Sequence, residues 1–344
     1  MSIAHSPAAD SSVDATHVRP HHRALPLRVG TRGSPLALWQ TRFFLARLTT
    51  FCPVLRGPLF DDRPVFEEHP IRTTGDATQD AGTRLADIGG KGLFAKEIHE
   101  ALADRRIDFA VHSLKDLETD LPPGIVLACT LTREDARDAL ILGPSCGPVD
   151  PADPYSALPA NAVVGTSSMR RQAQLLHARP DLRMAVLRGN VQTRINRTRA
   201  GACDATLLAL AGLRRLDIEA EASLVLKVET MVPAAGQGIV GITVRADDTE
   251  LRELLGAIED PEARAVATAE RALLAALDGS CRTPIGGHAS VLPDGVLQLT
   301  GLVARPDGSF LLRKSLRGAP GEAARLGAAL GKNLRADSPR DIFV

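Results

Sequence analysis

Lysine is scarce in this chain. Only six of its 41 basic residues are lysine (Lys91, Lys96, Lys115, Lys227, Lys314 and Lys332), which leaves 35 arginines. Codon bias in a GC-rich genome accounts for such an excess in bulk. A functional reading, planar forks that hold carboxylates, requires the arginines to cluster as well. Aromatic residues are equally rare, with one Trp, one Tyr and nine Phe, and the 41 basic residues are balanced by 41 acidic ones. Balanced charge with few stacking rings argues against a nucleic-acid partner.

Five cysteines (Cys52, Cys129, Cys146, Cys203 and Cys281) are scattered without a C-x-x-C pair. An odd number so spaced argues against a disulfide framework and a metal site, and fits a reducing cytoplasm. No apolar run approaches the ~20 residues that span a bilayer, so no membrane partner is expected. There is no Walker A sequence, Gly30-x-x-Gly33 has the wrong spacing for a dinucleotide fingerprint, and Ser113 lacks a G-x-S-x-G elbow. Residues 1–24, rich in Ser, Ala, His, Pro and Asp without an apolar core, read as a disordered tail.

What remains is ample core material: 344 residues at 44% hydrophobic suit two or three compact domains. Strand and helix patterns alternate. Leu27–Thr31 reads as a strand, and Ser34-Pro35 opens a helix on which Leu36, Trp39, Phe43 and Ala46 follow at helical spacing. Gly89-Gly90-Lys91-Gly92 is a loop before a helix carrying Phe94, Ile98 and Leu102, and Ile107, Phe109 and Val111 alternate in a strand ending at His112-Ser113. After a Pro/Gly/Asp-rich loop from Gly143 to Pro159, three strands at Val163-Val164, Met184–Leu187 and Ala205–Leu210 are interleaved with helices from Met169 and Val191. Ile239–Arg245 is a further strand, followed by a long helix from Asp260-Pro261, two strands joined around Asp307-Gly308, and a last helix over Glu322–Leu334.

The arginines do cluster. Eight of them lie between residues 165 and 199, against Asp181 alone. Arg170-Arg171 enters the first turn of a helix straight after Gly165-Thr166-Ser167-Ser168, where cations oppose the helix dipole and so need a reason. Arg188 and Arg194 flank a second strand-to-helix turn through Gly189-Asn190, and Arg32-Gly33-Ser34 occupies a third. In an open α/β sheet such turns face the crevice at the strand carboxyl ends, so an anion site is expected there, against the alternative of a solvated basic face. His112-Ser113-Leu114-Lys115-Asp116 gathers acid–base groups behind a strand, and Cys281 sits in a Gly/Pro loop beside Arg282, which favours thiolate.

Taken together, these segments resemble porphobilinogen deaminases. The resemblance rests on Thr31–Ala37, Gly89–Phe94, Val111–Asp116, Gly165–Arg171, Leu187–Asn190, Gly236-Gln237-Gly238, and Gly279-Ser280-Cys281 with Pro284-Ile285-Gly286, in that order along nearly the whole chain. It implies an α/β fold of three domains: two periplasmic-binding-protein-like lobes around a cleft (25–135 with 237–255, and 140–232) and a small C-terminal α+β domain (260–344).

It also implies an enzyme that joins four porphobilinogens head to tail, releasing ammonia, into hydroxymethylbilane. The chain would grow on a dipyrromethane cofactor bound covalently to Cys281. By the same resemblance, Asp116 is the catalytic carboxylate, and Arg32, Arg170, Arg188 and Arg194 bind substrate. Lys115, Ser34, Thr166, Ser167, Ser168, Arg170, Arg171, Arg188 and Gly189 hold the cofactor, and Lys91 and Phe94 belong to a lid over the cleft. The family's usual state is a monomer. A non-enzymatic small-anion binder of the same two-lobed shape is the alternative, and it would need neither Cys281 nor Asp116. A cysteine-dependent redox or acyl-transfer enzyme would need a base near Cys281 that no local sequence supplies.

Overall fold

The computed structural model describes residues 25–52, 64–77, 92–277 and 284–343. Three segments of expected interest, the tail 1–24, Lys91 and Cys281, lie outside them. The chain opens with β1 (Leu27–Thr31), β2 (Phe66–Pro70), β3 (Phe109–Ser113) and β4 (Ile125–Thr130), then continues through β5 (Asp138–Leu142), β6 (Val163–Gly165), β7 (Arg183–Ala185), β8 (Ala205–Ala209) and β9 (Leu224–Val225). After β10 (Val240–Arg245) come β11 (Ile285–Val291), β12 (Leu297–Ala304) and β13 (Leu311–Gly318).

These strands form three sheets, ordered β2-β1-β3-β10-β4, β7-β6-β8-β5-β9 and β11-β12-β13. The first two follow one plan. Three strands run parallel, and the strand inserted beside them is antiparallel: β10 between β3 and β4, β5 between β8 and β9. The chain therefore passes from the first sheet to the second after β4 and returns to the first at β10.

The helix Pro35–Phe51 forms where its cap predicts, with Ser34 Oγ accepting from the Ala37 amide. Its buried stripe, however, is Gln40, Thr41, Phe44, Leu45 and Leu48, displaced from the spacing of Leu36, Trp39, Phe43 and Ala46. Phe44 meets Phe109 of β3 edge-on at 5.9 Å, while Trp39 and Phe43 stack on each other on the outer side, at 4.9 Å, with Phe43 37% exposed. Two apolar stripes compete on this helix, and the one facing the sheet wins.

The long helix Pro261–Ala276 is capped by Asp260, whose carboxylate accepts from the Ala263 amide, and it buries Val266, Ala269 and Leu273 with the following Leu277 as expected. They pack on β11–β13 and on the helix Ala323–Asp337. The expected hairpin joins β12 to β13 through Asp307-Gly308, and β11 adds a strand that the sequence analysis does not contain.

One buried carboxylate joins this third unit to both crossing segments. Glu270, on the long helix and fully buried, accepts from Arg133 Nη1 at 2.7 Å, the Gly236 amide at 2.6 Å and the Ala289 amide at 2.6 Å. Arg133 stands on the first crossing and Gly236 on the second. Burial pushes the Glu270 carboxyl up, and these donors oppose it. The crossings also touch directly: the Glu134 amide donates to Gly238 O at 3.1 Å, and a Cβ on Gly238 would lie 2.2 Å from Glu134 O. With φ +90° as well, that position takes glycine alone.

Candidate functional site: a cleft between the two parallel sheets

Arg32 leaves the carboxyl end of β1 and reaches across to Asp76, with Nη2 2.5 Å from Oδ1 and Nε 3.3 Å from Oδ2. Its Nη1 lies 3.5 Å from Asp116 Oδ2, and its guanidinium covers the Phe94 ring at 4.2 Å. Phe94 belongs to the turn ahead of the helix Lys96–Ala103 rather than to the helix itself, and in this structure it packs on arginine. Burial pushes the Asp76 carboxyl up, but the hydrogen bond and charge of Arg32 and the bonds from Thr73 overcome it and hold Asp76 low. Thr74 donates to Glu97 through its amide at 2.9 Å and through its hydroxyl.

β3 ends in a single 3-10 turn, Leu114–Asp116, which turns Lys115 and Asp116 outward. Asp116 is 31% exposed, and its one close partner among the described residues is Arg32. Lys115 Nζ donates to Gln237 Oε1 at 3.2 Å. Its side chain keeps solvent contact, while protein atoms gather around its ammonium. That crowding, with Arg171 and Arg170 nearby, pushes Lys115 down to about 8 against the pull of Asp116 and Asp138.

On the second sheet, the three hydroxyls after β6 shape their own turn. Thr166 Oγ1 accepts from the Ser168 amide at 3.1 Å, Ser167 Oγ donates to Leu187 O at 2.9 Å, and Ser168 Oγ caps the helix Met169–Ala178 through the Arg171 amide. The first amides of that helix lack intrahelical acceptors and lie at its positive end.

Arg170 and Arg171 are placed differently from the expectation of a direct grip on bound carboxylates. They are 6% and 5% exposed, and both face Asp138 at the start of β5, each with an Nη2 2.8 Å from one of its oxygens. Arg170 Nη1 also donates to Val232 O and Arg171 Nη1 to Leu207 O. Two adjacent cations at a helix N-terminus are tolerated here because a buried anion lies between them. Burial pushes Asp138 up, and the charges of Arg170 and Arg171, with hydrogen bonds from Arg171 and Gln237, drive it well below the ordinary carboxylate range.

The turn after β7 holds Arg188, and the helix Val191–Arg199 that follows carries Arg194. Gly189, at φ +115°, permits the reversal, and Asn190 caps the next helix by accepting from the Thr193 amide at 2.9 Å. Arg188 Nη2 crosses the cleft to Gly75 O at 3.1 Å, so the second lobe touches the first beside Asp76. Burial pushes the Arg188 guanidinium down. Arg194 donates Nε to Gly189 O at 2.8 Å, and among the described residues no carboxylate oxygen lies within ion-pair distance of it. Burial, then the charges of Arg171, Arg188 and Arg32, pushes it down to about 10, opposed by Asp116.

The cleft thus brings Arg32, Lys115, Asp116, Arg188 and Arg194 together, with Ser34 and Thr166–Ser168 in its rim turns and Arg170 and Arg171 beneath. Sequence reasoning missed Asp138 as the counter-ion, and it treated Gln237 only as part of a glycine turn. The one signal for Asp138 was indirect: an Arg-Arg pair at a helix start requires an anion somewhere. Among the described residues, Cys52, Cys129, Cys146 and Cys203 are free thiols, and none stands with two other candidate ligands in a metal-binding group. No described helix is long and apolar enough to cross a membrane.

Two mixed-sheet lobes between which the chain crosses twice, with Arg32 of one and Arg188 and Arg194 of the other facing the space between them, define a two-lobed α/β protein with a basic cleft. Residues 27–253 match the family model described as porphobilinogen deaminase, dipyrromethane cofactor binding domain, and residues 265–336 match the model of the porphobilinogen deaminase C-terminal domain. The chain belongs to the porphobilinogen deaminase family: it is a transferase that polymerises porphobilinogen on a dipyrromethane cofactor. Its fold is mixed α/β, with two five-stranded sheets in two lobes and a small C-terminal domain around a third sheet. Among solved structures, the periplasmic VFT2 domain of Bordetella pertussis BvgS is similar at 12% identity over 67% of this chain and 86% of that one, with a TM-score of 0.38. A high-specificity arginine-binding periplasmic protein of Salmonella typhimurium is similar at 11% identity over 67% and 90%, with a TM-score of 0.36.

Proposed function

We propose that Asp116 is the catalytic carboxylate of this reaction and that the surrounding cations hold the acetate and propionate groups of substrate and cofactor. The observation that carries the reading is the imbalance on the cleft floor. Arg32 contacts Asp116 while paired with Asp76, Lys115 and Arg194 feel the charge of Asp116, and Arg194 has no carboxylate partner among the described residues. Such a surplus fits a ligand bearing several carboxylates, held by guanidinium forks.

When bound, the cofactor supplies the pyrrole carbon on which the chain grows, and Cys281 is its proposed attachment point. Asp116 stabilises the positive charge that develops on porphobilinogen as ammonia leaves, and it accepts the pyrrole N–H. Arg32 positions Asp116 from the side while staying anchored on Asp76. Arg170 and Arg171 act at one remove, through the charge they share with Asp138. The proposed domains are 25–135 with 237–255, 140–232, and 260–344, and the proposed state is a cytoplasmic monomer.

Intact-protein mass spectrometry tests the attachment. The wild-type chain is expected to carry the excess mass of a dipyrromethane, absent in Cys281→Ser, and an excess that persists in the mutant rules Cys281 out. For the clamp, Arg194→Gln is expected to raise KM roughly ten- to hundredfold, the loss of about 1.5–3 kcal/mol for a hydrogen bond to a charged group. Stalled enzyme–substrate intermediates on native gels would accompany it. A wild-type KM with an unchanged ladder of intermediates removes Arg194 from the site.

A further inference from the structure

Gln237 is 1% exposed, and both ends of its amide are engaged. Nε2 donates to Ala136 O at 2.7 Å and to Asp138 Oδ1 at 2.8 Å. Those two acceptors decide the orientation of the amide, because an oxygen in that place would face two other oxygens. Oε1 is therefore directed outward, where it accepts from Lys115 Nζ at 3.2 Å. The backbone is held as well, since Arg133 Nε donates to Gln237 O at 2.8 Å, and Arg133 is itself fixed by Glu270. Gln237 lies on the second crossing, Ala136 and Asp138 on the first and its exit into β5, and Lys115 at the end of β3. A single side chain thus connects the end of β3 with both crossings.

We propose that Gln237 is a positioning residue: it fixes Lys115 Nζ beside Asp116 and couples that lysine to the buried Arg170–Asp138–Arg171 triad of the other lobe. The proposal rests on the assignment of Lys115 and Asp116 to the cleft floor and extends it. An isolated lysine on a short turn has several rotamers, and one anchored by a preorganised acceptor holds its charge in a single place. The charged groups that act on it are Asp116 at its side, and Asp138, Arg170 and Arg171 behind Gln237. Any change in how the two arginines share Asp138 therefore reaches Lys115 through the Gln237 amide as well as through the charges themselves.

The test reads Lys115 directly. Brief acetic-anhydride labelling across a pH series, followed by peptide mass spectrometry, gives the titration midpoint of each lysine in the folded chain. The wild-type midpoint of Lys115 is expected near 8. Gln237→Met, of similar length and without an acceptor, should lower it by about half a unit or more, because a hydrogen bond to the charged form favours that form. The labelled peptides of Lys96 and Lys314 serve as the internal reference. An unchanged Lys115 midpoint in a variant with a wild-type circular dichroism spectrum overturns the proposal.

Should Gln237→Met not fold, the wild-type protein still decides. The side-chain amide resonance of Gln237 should shift with pH at the midpoint of Lys115, and a flat profile overturns the coupling. Neither readout depends on turnover. Failure of the underlying assignment would be seen separately, as an Asp116→Asn variant that keeps its activity while the Lys115 titration behaves as described.

Discussion

Asp116→Asn is expected to lower kcat on the order of 10²–10³-fold, the effect of removing one preorganised charged or polar group from a developing transition-state charge. The fold should survive. Asp116 sits on a partly exposed one-turn segment and its one close partner among the described residues is Arg32, at 3.5 Å, so asparagine replaces it without a void or a buried orphan. Circular dichroism and thermal melting would verify that. Intact mass before and after adding porphobilinogen would separate loss of turnover from failure to acquire the cofactor. A folded, cofactor-loaded Asp116→Asn enzyme with near-normal turnover refutes the assignment.

The second large effect concerns stability. Asp138→Asn removes the anion between Arg170 and Arg171, both almost fully buried and each within 2.8 Å of it. Breaking a buried ion pair by deleting one partner costs about 3–5 kcal/mol, because a charge is left uncompensated out of water. Here two guanidinium groups are left facing each other. For a chain of this size the melting temperature is expected to fall by roughly 10 °C, at about 2–4 °C per kcal/mol.

The pH dependence has a definite sign. The folded-state pKa of Asp138 is depressed, so its contribution is complete above the ordinary unfolded value of about 3.9 and is lost only as pH falls towards the depressed folded one. Wild type should therefore keep this contribution into moderately acidic solution, where Asp138→Asn has none to lose. Equal melting temperatures at pH 7 would show that the triad adds nothing to stability.

Much of the cleft was legible because its parts are local. Ser34, Ser168, Asn190 and Asp260 each precede a helix and each caps it, since a cap satisfies amides two or three residues away and needs nothing from the rest of the fold. The end of β1 and the turn after β7 carry Arg32 and Arg188 for the same reason: a strand followed by a capped helix leaves its connecting residues at the sheet's carboxyl edge, and Asp116 stands at the equivalent end of β3 on its short 3-10 turn. The face of the first helix was not legible. Trp39 and Phe43 are as apolar as Phe44 and Leu48, and only the position of Phe109 on β3 decides which pair is buried.

Sequence by itself thus determined the family, the alternation of strand and helix, the caps, and which residues stand at the mouths of the parallel strands. Tertiary structure decided what those residues face. Arg170 and Arg171 meet Asp138, 32 and 33 residues earlier. Phe94 lies under Arg32, Glu270 holds both crossings to the third unit, and Gln237 joins Lys115 to Asp138. The physical reason is the range of the interactions. Caps and turns are closed within a few residues by backbone geometry, whereas a buried charge takes its partner from whichever element packing brings within about 3 Å, and that separation in space has no fixed separation along the chain.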